Sequence, residues 1–508
     1  MFTFKSLKSR ILVLIAVAIA LFFCLETGVR GYDFYTSIVS GSRTIDDVDL
    51  SSYPTRFRIG SQYLFLTVIY LIWLSQNHQK YKGYGFLDIL KVSWVFLAIA
   101  FLCYPVTQDI YLYLQYGLMA INGLNPYISA SGDFASVLSP FIFWNQTSTY
   151  GPISQLFFIF SAAFVPISPI LGVYSFKLIC LIFHIFNTYL LWHQLKSNKN
   201  IVITLAYLLN PLLLFELITE AHVDVFVCTS IIIAVFSIKK RKYVVGVLAI
   251  WLGILSKTIP IIWLPIVLGF LVQQKRWKSL ILSIILSISL VLALQSSILP
   301  SVEAWKSLFN PGIGYLVSGS LHDLLRLILN SKVKYLFPNI VLIDIANTFR
   351  YLTYIGFVGY YGWVILKILL AKNYSQTKLV VDMGWVTLVL LLFATPWLMP
   401  WYPTILVPFI VVNLNFRLFA LTSFTFGILV SCAFYTLGYG PLYGQILPGV
   451  IGTILATIPA LAILLFGRIR RFPQFEKLIR GKRLLASQLI CDRRSLSRRE
   501  VSGERSRS

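Results

Sequence analysis

The stretch YPVTQDIYLYLQYGLMAINGLNPYI, residues 104–128, directly follows a strongly apolar segment and carries Asp109 at the end of that segment. The residues after it are rich in Asn, Gly, Pro and Tyr as far as WNQTSTYGPIS, residues 144–154. Long apolar segments fill most of the remaining sequence. A carboxylate at the rim of a membrane domain, beside a polar loop of this kind, indicates a reaction centre. We therefore expect a membrane enzyme whose chemistry takes place in this loop.

The composition is typical of a membrane protein. Of the 508 residues, 57% are hydrophobic and only 12% are charged, and the mean hydropathy is +0.78. A soluble protein carries about twice that charged fraction. Apolar runs of about 20 residues indicate helices that span a bilayer core, and continuous runs such as Val380–Leu392 disfavour a barrel of alternating strands. The sequence predicts an all-α fold, a polytopic transmembrane helical bundle of about 14 spans.

The net charge of +24 comes from basic residues in short loops and near the C-terminal end. Because Lys and Arg are retained in loops on the cytoplasmic side of a membrane, this distribution favours a topological role over nucleic-acid binding. The six cysteines are dispersed and include no CxxC pair. No disulfide framework is therefore expected.

A basic start precedes the first apolar run, Ile11–Leu25, and no small-residue cleavage pattern follows it. We expect an uncleaved anchor with a cytoplasmic N-terminus and an outer loop at Glu26–Ile59. Counting the segments along the chain, the one at Leu87–Tyr104 returns outward. It would deliver Asp109 to the extracytoplasmic face.

The apolar segment Pro152–Pro166 either spans the membrane or lies along its interface. If it spans, every later basic loop falls outside; if it lies along the interface, those loops, including KKRK at residues 239–242, fall in the cytoplasm. Interfacial helices are physically ordinary. We therefore expect the interfacial placement, with both termini cytoplasmic.

The domain organisation follows from these segments. Residues 1–466 are expected to form the membrane domain, with an extracytoplasmic catalytic loop at about 105–152. Residues 467–508 are rich in Arg and Ser with few aromatic residues. That composition predicts a disordered, basic cytoplasmic tail.

Asp109 is the first candidate for a functional carboxylate. A helix that continues from it places Tyr113 and Gly117 on the same face, at four-residue spacing. The alternative is an ordinary acid in the first turn of a helix, where the helix dipole favours it.

A second polar cluster, Glu216, Glu220, His222 and Asp224, lies in NPLLLFELITEAHVDVF at residues 210–226. Ionisable groups at membrane depth are costly and indicate function; the alternative is a polar turn that faces water. A divalent metal could bridge Asp109 and Asp224, although no ligand set has recognisable metal spacing.

Three outer-face cations, Lys257, Arg326 and Arg350, are candidates for holding a phosphate. Lys257 lies in SKTIP, which interrupts an apolar segment, and freed backbone N–H groups at such a break also face anions. The alternative for each cation is a side chain that extends to the membrane interface.

Four stretches, TQDIYLYLQYGLMAINGLNPY, TYGPIS, NPLLLFELITEAHVD and SKTIP, occur in an order that resembles the GT-C superfamily of polyprenyl-phosphate-mannose-dependent mannosyltransferases. The chain is most similar to the bacterial α-1,6-mannosyltransferases of lipoglycan synthesis. The resemblance runs from Tyr104 to Tyr402. It departs from the family at His222–Asp224, where HVD replaces the more frequent HND.

The resemblance implies a GT-C fold in a bacterial inner or plasma membrane. The implied reaction moves a hexose, with mannose the usual one, from a polyprenyl-phosphate-sugar donor to a glycan or glycolipid acceptor, with inversion. Asp109 would be the general base, and Lys257, together with Arg350, would neutralise the departing lipid phosphate. Arg326 remains a candidate for binding that phosphate from its position on the outer face alone. The implied substrate-positioning residues are Tyr113, Tyr127, Tyr150, Glu220, His222 and Asp224.

Two other functions are considered. A flippase or transporter of a lipid-linked saccharide would also have many spans, but transporters often show internal repeats and paired helix breaks, and only the SKTIP break is evident. A polysaccharide polymerase or ligase would take lipid-linked glycans as both donor and acceptor.

Overall fold

A computed structural model describes residues 7–44, 53–77, 85–195, 200–309, 317–329, 342–437 and 446–469. Within those residues the chain is helical and forms no β-strand, which confirms the predicted all-α class. The helices in chain order are α1 (Leu7–Val39), α2 (Tyr53–Asn77), α3 (Phe86–Leu102), α4 (Asp109–Ile121), α5 (Pro152–Ala162), α6 (Pro169–Gln194), α7 (Asn200–Leu208), α8 (Pro211–Leu213), α9 (Asp224–Lys239), α10 (Tyr243–Ile254), α11 (Trp263–Gln273), α12 (Trp277–Ser297), α13 (Val302–Phe309), α14 (Leu321–Ile328), α15 (Leu342–Leu370), α16 (Gln376–Val389), α17 (Leu406–Val412), α18 (Arg417–Leu437) and α19 (Ile446–Ile469).

Several helices end in tighter or wider turns. α8 continues as a π-helix at Leu214–Thr219, and α16 continues as one at Leu390–Ala394. Short 3₁₀ helices precede α11 and α17, at Ile259–Ile262 and Tyr402–Ile405. Such departures from α-helical geometry are frequent near functional sites.

In the described part of the chain, eight helices are long and apolar enough to cross a membrane. The bent pair Ile201–Leu208 and Pro211–Thr219 raises the number to nine if it is one span. This supports a membrane protein. The expected count of about 14 spans is not confirmed, because several of the predicted segments form helices too short to cross.

The first two helices extend well beyond their apolar runs, so the expected outer loop Glu26–Ile59 is wrong. Residues up to Val39 belong to α1, and α2 begins at Tyr53. Charged residues of the two helices pair with each other here: Arg58 Nε of α2 donates to Glu26 Oε1 of α1 at 2.9 Å.

The apolar segment after Tyr150 forms α5, which has 11 residues. At 1.5 Å per residue it is about 16 Å long, roughly half the thickness of a bilayer core. That length favours the interfacial placement over a full span.

The predicted interruption at SKTIP is present, because α10 ends at Ile254 and α11 begins at Trp263. The interruption pairs with the segment before α5: the Gly151 amide donates to the Ser256 carbonyl at 3.1 Å, and the Ile153 amide donates to that of Leu255 at 2.8 Å. This short antiparallel contact brings Tyr150 beside Lys257.

By its internal contacts the chain divides at Pro459. All residues of the candidate site lie in the unit Met1–Pro459. Of the tail expected at residues 467–508, the part after Ile469 lies outside the described residues.

Candidate active site

A cavity of about 600 Å³ opens beside the start of α4. Its walls come from α1 and α2, the loop before α4, the loop before α5, the helix break at Lys257 and the turn before α17. Asp109, Tyr150 and Lys257 all line it. The structure therefore brings one residue from each of three separate sequence motifs to the same space.

Asp109 is the first residue of α4, and 20% of its side chain is exposed. Its Oδ2 accepts a hydrogen bond from the Tyr113 hydroxyl at 3.4 Å and lies 3.9 Å from His222 Nδ1. Burial in the cavity wall raises the pKa of Asp109 to about 6, against the opposing effect of the Lys257 charge. The carboxylate is therefore ionised at neutral pH and is a stronger proton acceptor than an ordinary aspartate.

His222 is fully buried and lies next to Asp109. Its ring stacks on Trp401, with centroids 3.8 Å apart. Nδ1 lies 3.4 Å from the Tyr113 hydroxyl, and Nε2 lies 3.8 Å from a carboxylate oxygen of Glu216. Burial and the nearby Lys257 charge hold the pKa of His222 well below its usual value. The imidazole is therefore neutral at this position.

Lys257 reaches the cavity from the helix break and is held by Asp224 at the start of α9. Its Nζ lies 2.8 and 3.0 Å from the two carboxylate oxygens and 4.4 Å from the centroid of the Tyr402 ring. Asp224 is fully buried, whereas 12% of the Lys257 side chain is exposed. The pair therefore presents a fixed cation to the cavity.

Glu220 does not line the cavity. Its Oε2 accepts from the backbone amides of Val106 and Thr107 at 2.9 and 2.8 Å. These amides belong to the loop that leads into α4. Glu220 therefore holds the backbone of the loop that precedes Asp109. It had been predicted to bind substrate.

Another buried ionisable residue in the same region, Lys177 of α6, was not predicted from the sequence. Its ammonium donates to the carbonyls of Cys103 and Thr219, the latter at 2.7 Å. It thereby neutralises the carbonyl end of α3 and ties it to the polar turn that carries His222. Only its position in an apolar segment, YSFKLIC, signalled a buried role.

The predicted tyrosines occupy different places. Tyr150 lines the cavity, and its hydroxyl donates to that of Tyr113 at 3.4 Å. Tyr113 and Tyr127 are buried behind the wall. Tyr113 thus links the site residues, while Tyr127 has no contact with the cavity.

The predicted arginines are not brought to the cavity. Arg326 of α14 pairs with Asp323 at 2.6 Å, and Arg350 of α15 donates to Asn347 at 3.3 Å. Arg30 of α1 and Arg56 of α2 line the cavity instead. Both lie in the segment that was predicted as an outer loop, so neither was predicted at the cavity.

Among the described residues, no group of three or more His, Cys, Asp or Glu side chains has the geometry to hold a metal ion. We therefore assign no metal ligand within the described ranges.

Comparisons with known proteins bear on the same segment. No curated protein and no solved structure matches the chain. A family model does, over a range that includes Asp109, Tyr150, His222 and Lys257. Residues 57–273 match the model of the alpha-(1->6)-mannopyranosyltransferase N-terminal domain, as the sequence resemblance predicted, and this match supports a mannosyltransferase activity.

Proposed function

We propose that the protein is an integral-membrane glycosyltransferase that moves mannose from a polyprenyl-phosphate-sugar donor to a hydroxyl group of a glycan or glycolipid acceptor. The observation that carries the proposal is the shared cavity, in which a carboxylate, Asp109, and a fixed cation, Lys257, both face the interior. The acceptor hydroxyl must lose a proton, which a carboxylate can accept. The donor must release a phosphate, which a cation can stabilise.

Asp109 acts as the general base. It accepts the proton of the acceptor hydroxyl as the oxygen forms a bond to the anomeric carbon of the donor sugar. Tyr113 and His222 hold the carboxylate in position. The bond from the anomeric carbon to the phosphate oxygen breaks on the opposite face, and its electron pair leaves with the lipid phosphate. The anomeric configuration is thereby inverted.

Lys257 stabilises the departing lipid phosphate. The charge on the leaving oxygen increases in the transition state, and an ammonium group already held by Asp224 needs no reorganisation to meet it. Arg30 and Arg56 add positive charge to the same cavity. They favour binding of the anionic donor before transfer begins.

The test uses purified protein in detergent with radiolabelled polyprenyl-phosphate-mannose and a glycolipid extract. Asp109→Asn is compared with wild type and with Asp133→Asn, a control on an exposed loop residue. We expect labelled product from wild type and from Asp133→Asn but not from Asp109→Asn. Product from Asp109→Asn would remove the carboxylate from the reaction. Absence of product from wild type with every polyprenyl-phosphate sugar would favour the flippase alternative.

A further inference from the structure

One side of the cavity is aromatic. Trp144, from the loop before α5, and Trp397, from the turn between α16 and α17, both line the cavity. Their rings meet edge to face, with centroids 6.0 Å apart and an interplanar angle of 89°. The two indoles lie at right angles to each other and form an apolar corner of the cavity.

The backbone that carries Trp144 is fixed. Its carbonyl accepts from Ser131 Oγ at 2.6 Å, and the carbonyl of Gln146 accepts from the Ser131 amide and the Tyr116 hydroxyl, each at 3.0 Å. These three hydrogen bonds restrain the backbone of the loop from Trp144 to Gln146. Its side chains are presented to the cavity in a prepared position.

The backbone that carries Trp397 is fixed in a similar way. The Ser318 amide donates to the carbonyl of Pro396 at 3.0 Å, and the Leu398 amide donates to the carbonyl of Ser318 at 2.9 Å. Both indoles are therefore carried by non-helical segments whose backbone is held by hydrogen bonds. Such prepared positions reduce the entropic cost of binding a ligand.

Gln146 provides a polar group beside this corner. The residue lines the cavity, and its amide group carries both a hydrogen-bond donor and an acceptor. A sugar fits this combination of groups, because its C–H face packs on an indole and its hydroxyls form hydrogen bonds with an amide.

The donor's lipid chain is a poorer occupant of this corner than a glycan. The amide group of Gln146, which lines the cavity, would lie beside hydrocarbon, which offers it no hydrogen-bond partner. The donor chain also requires contact with the membrane, whereas both indoles are carried on non-helical segments outside the spanning helices. The acceptor glycan has hydroxyl groups along its whole length and reaches the site through water.

We propose that Trp144, Trp397 and Gln146 form the subsite that holds the terminal sugar of the acceptor glycan. This inference rests on the proposed transferase function and deepens it, since it assigns residues to acceptor recognition. Asp109 then receives the proton from a hydroxyl of a sugar already held by these three side chains.

The first test separates the Michaelis constants of the two substrates, with methyl α-mannobioside as acceptor and polyprenyl-phosphate-mannose as donor. For Trp144→Phe, Trp397→Ala and Gln146→Leu we expect the KM of the acceptor to rise about tenfold, with the KM of the donor and kcat at saturating acceptor within about twofold of wild type. The control is Trp94→Ala, which removes an exposed indole of α3 that does not line the cavity. An unchanged acceptor KM in all three variants, or a rise in donor KM alone, would overturn the proposal.

The second test measures binding without turnover. In Asp109→Asn protein, methyl α-mannobioside is titrated while the heat of binding is measured by calorimetry, and the titration is repeated with Trp144→Phe and Trp397→Phe added. We expect a saturable change that is lost or shifted about tenfold in the added variants. An identical titration in those variants would overturn the subsite even if wild type transfers mannose. If wild type transfers nothing but the titration depends on both indoles, the transferase proposal fails and the sugar subsite stands.

Discussion

Asp109 and Lys257 show how the surroundings of a side chain fit it to the role we propose for it. Asp109 has a raised pKa because the cavity wall partly removes it from water, whereas the ammonium of Lys257 lies 2.8 Å from the carboxylate of Asp224. His222 and Tyr113 were predicted as substrate contacts. The structure makes them neighbours of Asp109, so their effect on the reaction would pass through that carboxylate.

The raised pKa of Asp109 predicts how transfer depends on pH. A base must be unprotonated, so kcat/KM should fall as the pH decreases through about 6, and by about tenfold for each further unit. The measurement is kcat/KM between pH 5 and pH 8, with binding of the mannobioside as the control for general damage. A flat profile across this range would contradict the assignment of Asp109 as the base.

The pairing of Lys257 with Asp224 predicts that one variant can recover stability without recovering activity. Lys257→Met leaves the buried Asp224 carboxylate without its cation, which should cost about 3–5 kcal/mol of unfolding free energy. The double variant Lys257→Met, Asp224→Asn should recover much of that stability, since no unpaired charge remains, but no activity. Thermal unfolding and transfer assays on the two variants check this. Recovery of activity in the double variant would show that Lys257 does not act on the leaving phosphate.

At the scale of elements, the contact between the start of α5 and the break before α11 brings Tyr150 and Lys257 together. Gly151 permits this contact, because a Cβ at that position would lie 2.3 Å from the Leu255 carbonyl. The sequence predicted both segments as polar interruptions. It did not predict that they pair, since they are separated by about a hundred residues and no local pattern connects them.

Gly151→Ala should therefore separate the two segments. We expect a loss of about 1–3 kcal/mol in stability and a large fall in transfer, because Lys257 moves away from the cavity. The matched control is Gly362→Ala in α15, where the added Cβ meets no atom within 4 Å and should stabilise the helix by about 0.5–1 kcal/mol. Equal activity of the two variants would argue against the role of this contact.

At the scale of the whole molecule, the proposed function requires the cavity to face away from the cytoplasm. The loop before α5 and the basic turn after α9 would then lie on opposite sides of the membrane. Val137 in the first is 63% exposed, and Lys242 in the second is also exposed.

Cysteine labelling in intact cells tests this orientation. Val137→Cys should react with a membrane-impermeant maleimide, whereas Lys242→Cys should react only after the membrane is made permeable. The native cysteines of the described residues are buried or partly buried, so wild type is the background control. The reverse pattern would invert the proposed topology.

The sequence by itself determined the class of the molecule and the position of its breaks. Continuous apolar segments must form helices in a membrane, because hydrocarbon offers no partner for backbone N–H and C=O groups. The same rule makes a polar interruption such as SKTIP conspicuous. Asp109, Lys257 and the turn at His222 could be selected for this reason alone.

Only the tertiary structure decided which of these groups meet. Arg30 and Arg56 replace the predicted arginines at the cavity because α1 and α2 continue past their apolar runs. Glu220 turns away from the cavity to hold the amides before Asp109. Such outcomes depend on contacts between residues far apart in the chain, where burial and pairing of charge compete, and no local pattern of residues records the result.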